Sequence, residues 1–216
     1  MVRVKICGIT RLEDARMAIE LGAYALGFNF YEKSERCLSP ADAWNILRKL
    51  PAMVSTVGVF VNWDDLSVIA LAQSLRLSAV QLHGDESELI AARCARVFPV
   101  TKAFRTDNKF SLGELHRYSS ACSFLLDAAP PSAGSSTYGG TGQLANWKLA
   151  ANAARKFPVI LAGGLNSENV GEAIVAVRPY AVDVASGVES RPGKKDPAKL
   201  RAFFAEVARA SREQSS

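Results

Sequence analysis

Arg3-Val4-Lys5-Ile6-Cys7-Gly8-Ile9-Thr10 is a short apolar run that stops at a glycine, and an amphipathic stretch over residues 12–21 follows it. The pattern is strand, turn, helix. It recurs to the end of the chain. Strand candidates lie at residues 3–7, 25–30, 55–61, 79–83, 100–104, 123–127, 158–162 and 181–185. Helix candidates lie at 12–21, 41–50, 64–74, 86–97, 112–118, 143–156, 167–177 and 197–209. The stretch around 107–118 carries the faintest helical pattern.

Start signals support the helices. Ser39-Pro40 offers an N-cap followed by proline at the first helical position. Asn62-Trp63-Asp64-Asp65 precedes the third helix, Asn166-Ser167-Glu168 the seventh, and Asp196-Pro197 the last. Eight strand–helix units in 216 residues predict a parallel sheet with helical crossovers. That count points to a closed α/β architecture, a single (β/α)8 TIM barrel over residues 1–210, with 211–216 as a polar C-terminal tail. The alternative is an open doubly wound sheet, but no G-x-G-x-x-G follows the first strand.

Composition bounds the function. The chain is 49% hydrophobic and 22% charged, as ordinary globular domains are. No apolar run is long enough to span a bilayer. The N-terminus opens on a strand candidate without a signal peptide's apolar stretch, so a cytoplasmic protein is expected. The four cysteines (Cys7, Cys37, Cys94 and Cys122) form no C-x-x-C pair, and with two histidines they offer no zinc spacing. Cys94 and Cys122 read as small buried hydrophobes. The net charge of +5 is scattered, without the concentrated patch of a nucleic-acid binder. It is compatible with a small anionic substrate.

On a (β/α)8 barrel the active site lies at the C-terminal ends of the strands. The polar residues there are Cys7, Asn29, Asn62, His83, Arg105 and Asp127, then Gly163-Gly164 and Ser186-Gly187. Side chains alternate along a strand. Lys5 and Cys7 therefore share one face while Val4 and Ile6 take the helix-facing side, and Leu125 and Asp127 share a face. Cys7 and Asp127 are thus a candidate thiol–carboxyl acid/base pair, against the plainer reading of Asp127 as a helix cap or surface carboxylate. Three glycine turns, Gly139-Gly140-Thr141-Gly142, Ala162-Gly163-Gly164 and Ala185-Ser186-Gly187, suit an anion held by backbone N–H groups. Arg36 in the loop after the second strand reads either as a carboxylate clamp or as a solvated side chain. His83 reads either as a site residue or as a satisfied polar group at the barrel rim.

Taken together, several segments resemble phosphoribosylanthranilate isomerases. They are Lys5-Ile6-Cys7-Gly8-Ile9-Thr10, Gly27-Phe28-Asn29-Phe30, Val57-Gly58-Val59-Phe60-Val61-Asn62 and Val80-Gln81-Leu82-His83-Gly84. Leu125-Leu126-Asp127, Gly139-Gly140-Thr141-Gly142, Leu161-Ala162-Gly163-Gly164-Leu165 and Val182-Asp183-Val184-Ala185-Ser186-Gly187-Val188-Glu189 complete the set, in order along the chain. The resemblance implies an Amadori rearrangement of N-(5-phosphoribosyl)anthranilate in tryptophan biosynthesis, without metal or redox cofactor. It implies Cys7 as general base and Asp127 as general acid. Arg36, His83 and Asp183 become substrate-binding positions. Gly140, Thr141, Gly142, Gly163, Gly164, Ser186 and Gly187 become the phosphate grip. Its only expected partner is a small phosphorylated substrate, not nucleic acid or membrane, and the chain is expected to be a monomer or a homodimer.

The sequence departs from the family pattern in one loop. Glu32 and Glu35 stand where prolines are expected, and Cys37 replaces a bulkier residue, which implies a less rigid loop. Three alternatives stand beside this reading. One is the related histidine-pathway isomerase, whose first-strand base is an aspartate where this chain has Cys7. Another is a phosphate-binding synthase or aldolase barrel, for which Lys102 is the tempting Schiff-base lysine. The last is a non-catalytic barrel that keeps the phosphate grip.

Overall fold

Val4 and Ile6 in the first strand, and their counterparts in the seven that follow, bury one strand face under helices and turn the other inward. In the computed structural model, which describes residues 1–107, 110–128 and 145–213, those strands close on themselves. They are β1 Arg3–Ile6, β2 Ala25–Asn29, β3 Ser55–Phe60, β4 Ala79–Leu82, β5 Val100–Arg105, β6 Ser123–Asp127, β7 Val159–Leu161 and β8 Ala181–Val184. All neighbours pair in parallel, and β1 pairs with β8 through Lys5 opposite Asp183 and Ile6 opposite Val184. This seam makes the sheet a closed (β/α)8 barrel and removes the open doubly wound alternative.

The helices are α1 Leu12–Glu20, α2 Pro40–Leu47, α3 Asp65–Ser74, α4 Glu88–Ala95, α5 Leu112–Arg117, α6 Trp147–Ala154, α7 Val170–Val177 and α8 Pro197–Glu213. The large core lies between strands and helices: Val4 and Ile6 of β1 pack there with Ala15 and Ala18 of α1. A smaller cluster of Ala103, Leu125, Ile160, Ala162 and Ala181 fills the barrel interior. Truncating a buried leucine such as Leu125 to alanine costs about 2–5 kcal/mol. Leu125 faces inward, so Asp127, two residues on, does too.

Local signals explain the helix starts. Ser39 Oγ accepts from the Asp42 backbone N–H at 3.1 Å, and Pro40 is the first residue of α2. Asp64 caps α3 through Ser67 N, and Asp196 accepts from Ala198 N and Lys199 N ahead of α8. α7 begins later than the sequence reading places it. Asn166 Oδ1 accepts from Glu168 N and Asn169 N, which makes a turn of its own before the helix. α6 starts at Trp147 behind an Asn146 cap rather than at 143.

The chain also differs from expectation at its end. α8 runs to Glu213, past the boundary at 210, because Ser211 is buried and its hydroxyl accepts from Val2 N at 3.0 Å. After β8 a short 3₁₀ turn, Ser186–Val188, leads into an antiparallel hairpin of β9 Glu189–Arg191 and β10 Lys194–Lys195. Cys94 is buried as expected, whereas Cys122 is exposed, ahead of β6 at the barrel's N-terminal end. Among the described residues no helix is long and apolar enough to cross a membrane.

Candidate active site

Cys7 is the first residue past β1, and its N–H donates to Val184 O of β8 at 2.9 Å. Its side chain and that of Lys5 both flank Gly27 on the inside of β2. A Cβ built on Gly27 would lie 2.8 Å from Cys7 Sγ and 3.1 Å from Lys5 Nζ, so the missing side chain makes room for both. Lys5 Nζ is 2.9 Å from Asp183 Oδ1, and both side chains are buried. Burial draws the Lys5 ammonium down, but Asp183 and Cys7 outweigh it and hold Lys5 above its usual value. Burial pushes the Cys7 thiol up, and Lys5 opposes that push.

Asp127 ends β6. Its Oδ1 accepts from the Ala128 N–H at 2.8 Å, and its carbonyl accepts from both Thr106 N and Thr106 Oγ1. His83 Nε2 lies 3.3 Å from Asp127 Oδ2, close enough to pair but without hydrogen-bond alignment. Gln81 Nε2, one inward position down β4, sits 2.7 Å from His83 Nδ1. A Gln81 amide that donates to Nδ1 would leave the ring proton on Nε2, the nitrogen that faces Asp127.

The loop from 30 to 37 is tied by its own polar groups. Asn29 Nδ2 donates to Ser34 Oγ, Asn29 Oδ1 accepts from Tyr31 N, and Ser34 Oγ accepts from Arg36 N. Leu38 N returns to Asn29 O. These bonds shape the loop where prolines would otherwise stiffen it. They deliver Arg36 to the barrel mouth, where its Nε and Nη2 make a two-pronged pair with Glu189 at 3.0 and 2.7 Å. Hydrogen bonding to Glu189 raises the Arg36 guanidinium further above its usual value. The solvated-arginine reading of Arg36 does not hold.

Gly163 and Gly164 follow β7 with φ of +84° and +61°. Both values lie in the left-handed region that glycine adopts without steric cost. Any side chain on Gly163 would also strike the Ala128 backbone N at 2.5 Å. Ser186 and Gly187 open the 3₁₀ turn after β8, and Gly187 packs against the Leu165 carbonyl, so the two loops are in contact. Gly140, Thr141 and Gly142 lie outside the described residues.

A thiol, a carboxyl, an arginine and two glycine loops at one barrel end meet the pattern of a known enzyme family. A sequence model of the N-(5'phosphoribosyl)anthranilate isomerase family matches residues 4–206. The chain belongs to that family. The N-(5'-phosphoribosyl)anthranilate isomerase of Geobacter metallireducens is 53% identical over 204 residues, covering 94% of this chain and 98% of that one. The crystal structure of the Thermus thermophilus phosphoribosyl anthranilate isomerase superposes with a TM-score of 0.87 at 42% identity, covering 96% of this chain and 99% of its own. A further isomerase structure, at TM-score 0.84 and 42% identity over 96% and 99% of the two chains, is a complex with reduced 1-(o-carboxyphenylamino)-1-deoxyribulose 5-phosphate.

The family membership sets aside the histidine-pathway alternative. The aldolase reading fails on geometry. Lys102 points to the helix side of β5, where its Nζ meets Gly84 O at 2.6 Å and Glu86 Oε2 at 2.9 Å beneath the Tyr118 and Phe104 rings. It is fully buried there, away from the mouth.

Of the residues singled out in the sequence, the structure brings Cys7, Asp183 and Ser186-Gly187 together along the β1–β8 side of the mouth, with Arg36 above them. Asp127, His83 and Gly163-Gly164 lie at the ends of β6, β4 and β7. Three participants escaped the sequence reading. Glu189 and Lys195 sit on a hairpin that no periodicity announces, and Gln81 stood only inside the segment Val80–Gly84, with no role read for it.

Proposed function

We propose that Cys7 and Asp127 carry out the family's reaction as base and acid. The activity is that of the family: isomerisation of N-(5'-phosphoribosyl)anthranilate, a step of tryptophan biosynthesis. The observation that carries the assignment is the pairing of a half-buried thiol beside the Lys5 ammonium with a buried strand-end carboxyl on the same barrel mouth.

In this mechanism Asp127 gives its proton to the furanose ring oxygen. The bond from that oxygen to C1′ breaks, and the amine lone pair forms a protonated C1′=N Schiff base. The Cys7 thiolate then takes the C2′ proton, and the C–H electron pair becomes a C1′=C2′ bond that neutralises the nitrogen. The C2′ hydroxyl loses its proton and C1′ gains one, leaving the ketone. Base and acid need opposite protonation states, and Lys5 favours the thiolate against the push of burial.

Arg36 binds the anthranilate carboxylate, and Asp183 anchors Lys5 while facing the sugar. His83 touches the substrate beside the Asp127 carboxyl, which the Ala128 N–H holds. Gly163, Gly164, Ser186 and Gly187 hold the phosphate, with Gly140, Thr141 and Gly142 completing the grip. No metal or redox cofactor takes part in any step.

The test is a fluorescence assay of N-(5'-phosphoribosyl)anthranilate consumption with the wild type and Cys7→Ser. The serine variant should fold and lose roughly 10²–10⁴-fold in kcat, the usual cost of removing a general base. Wild-type turnover in Cys7→Ser would move the base elsewhere. No turnover in the wild type would leave the non-catalytic barrel as the remaining reading.

A further inference from the structure

Three charged side chains from two distant parts of the chain converge beside the Cys7-Gly8 turn. Arg36 comes from the loop after β2, while Glu189 and Lys195 come from the hairpin after β8. Glu189 takes two Arg36 donors, Nε at 3.0 Å and Nη2 at 2.7 Å. Lys195 Nζ spends its donors on Glu189 Oε1 at 2.8 Å, Cys7 O at 2.6 Å and Ala185 O at 3.2 Å. Its backbone N–H donates to Asp14 Oδ2 at 2.9 Å. The Glu189 and Lys195 side chains are 3% and 1% exposed, and Arg36 is 14% exposed.

We infer that Glu189 is the positioning residue of the carboxylate-binding arginine, and that Lys195 locks the pair to the backbone of Cys7. The inference rests on the reading of Arg36 given above. An arginine on a surface loop has many rotamers, and a ligand that must freeze them loses affinity. Glu189 freezes them beforehand. It grips the guanidinium along its Nε–Nη2 side, which leaves Nη1 and the outer Nη2 hydrogen for a second carboxylate. Gly8 lets the arginine lie flat over the catalytic turn: a Cβ there would stand 2.5 Å from Arg36 Cδ.

Charge balance explains why a glutamate can do this without repelling the substrate. Arg36, Glu189 and Lys195 among themselves carry two cations to one anion, so Glu189 does not cancel the positive charge that Arg36 offers the anthranilate carboxylate. Burial alone would raise the Glu189 carboxyl, but Arg36 and Lys195 overcome it and hold Glu189 below its usual value. The lysine has no donor left to offer a ligand, since its ammonium is fully engaged by Glu189 and two carbonyls. Its effect on the reaction passes through Glu189 and through the Cys7 carbonyl it restrains.

The test compares two ligands by titration calorimetry. One is reduced 1-(o-carboxyphenylamino)-1-deoxyribulose 5-phosphate, and the other is the same compound without the ring carboxylate. Glu189→Gln should weaken the carboxylated ligand about tenfold, the scale of a charge-assisted hydrogen bond, and leave the other within about twofold. Arg36→Met should show the same selectivity, and adding Glu189→Gln to it should cost nothing more. If Glu189→Gln weakens both ligands alike, or neither, while Arg36→Met is selective, Glu189 is not the positioning residue and Arg36 keeps its role. If Arg36→Met leaves the carboxylated ligand unaffected, the reading of Arg36 falls and the inference with it. Should Glu189→Gln fail to fold, Glu189→Asp decides. It keeps the charge beside Lys195 but shortens the reach to Arg36, so it should give a smaller loss confined to the carboxylated ligand, and an equal loss for both ligands would overturn the inference.

Discussion

Lys5 and Asp183 stand 178 residues apart in the chain and 2.9 Å apart in the barrel, on strands that pair only because the sheet closes. The contact is both a seam and an electrostatic device. Asp183 holds the lysine in place, and the lysine faces the thiol two residues along its own strand.

Lys5→Met should therefore act in two ways. It strands a buried Asp183 carboxylate, which typically costs about 3–5 kcal/mol. It also removes the charge that counters burial at Cys7, so the thiol titrates at higher pH. A thiolate base forms as pH rises through that titration, so the acidic limb of kcat/KM should move to higher pH. The pH profile measured below the melting temperature checks this, and an unmoved limb would show that Lys5 does not govern the base.

Asp127→Asn preserves the shape of the side chain and a hydrogen bond from the Ala128 N–H. It cannot give up a proton by ionising. The variant should bind the reduced product with near-wild-type affinity while kcat falls roughly 10²–10⁴-fold. Loss of binding and turnover together would make Asp127 a ligand-holding group instead of the acid.

Gln81→Met tests the arrangement behind His83. The Gln81 amide lies 2.7 Å from Nδ1, and an amide that donates there would put the ring proton on Nε2, toward Asp127. The chain has two histidines, so nitrogen-15 spectra of the rings are simple to assign. The wild type should show the Nε2-protonated form of His83, the variant a mixture, and kcat should drop several-fold, on the order of one lost hydrogen bond. An identical tautomer in both proteins would mean that Gln81 does not set it.

Lys102→Met leaves Glu86 buried without its cation, although the Asn62 and Gly84 N–H groups still donate to it. The expected cost of about 3–5 kcal/mol should lower Tm by roughly 10 °C in a chain of this size. Folded variant should still turn over substrate. A complete loss of activity in the folded variant would instead return Lys102 to the chemistry.

Much of the fold was written in local patterns. Each strand needed only an apolar run of the right length and each helix a capped, amphipathic stretch, so β1 to β8 fall within a residue or two of where periodicity puts them. The exceptions are places where a local polar group competes. Asn166 prefers its own turn to the helix cap, and Ser211 is drawn into α8 by the Val2 N–H. Cys122 shows the limit of composition: a small apolar residue type gives no warning of being left on the surface just before a strand.

The site divides in the same way. Cys7 and Asp127 could be located from sequence because strand alternation and the barrel's functional end are periodic facts. What surrounds them could not. That Asp183 meets Lys5 and that Glu189 meets Arg36 are pairings between residues 178 and 153 positions apart in the chain. Sequence determined which elements form and which way their side chains face, since both depend on neighbours a few positions away. Only barrel closure decided which charges meet, because an ion pair depends on separation in space, and that is set when β8 docks against β1.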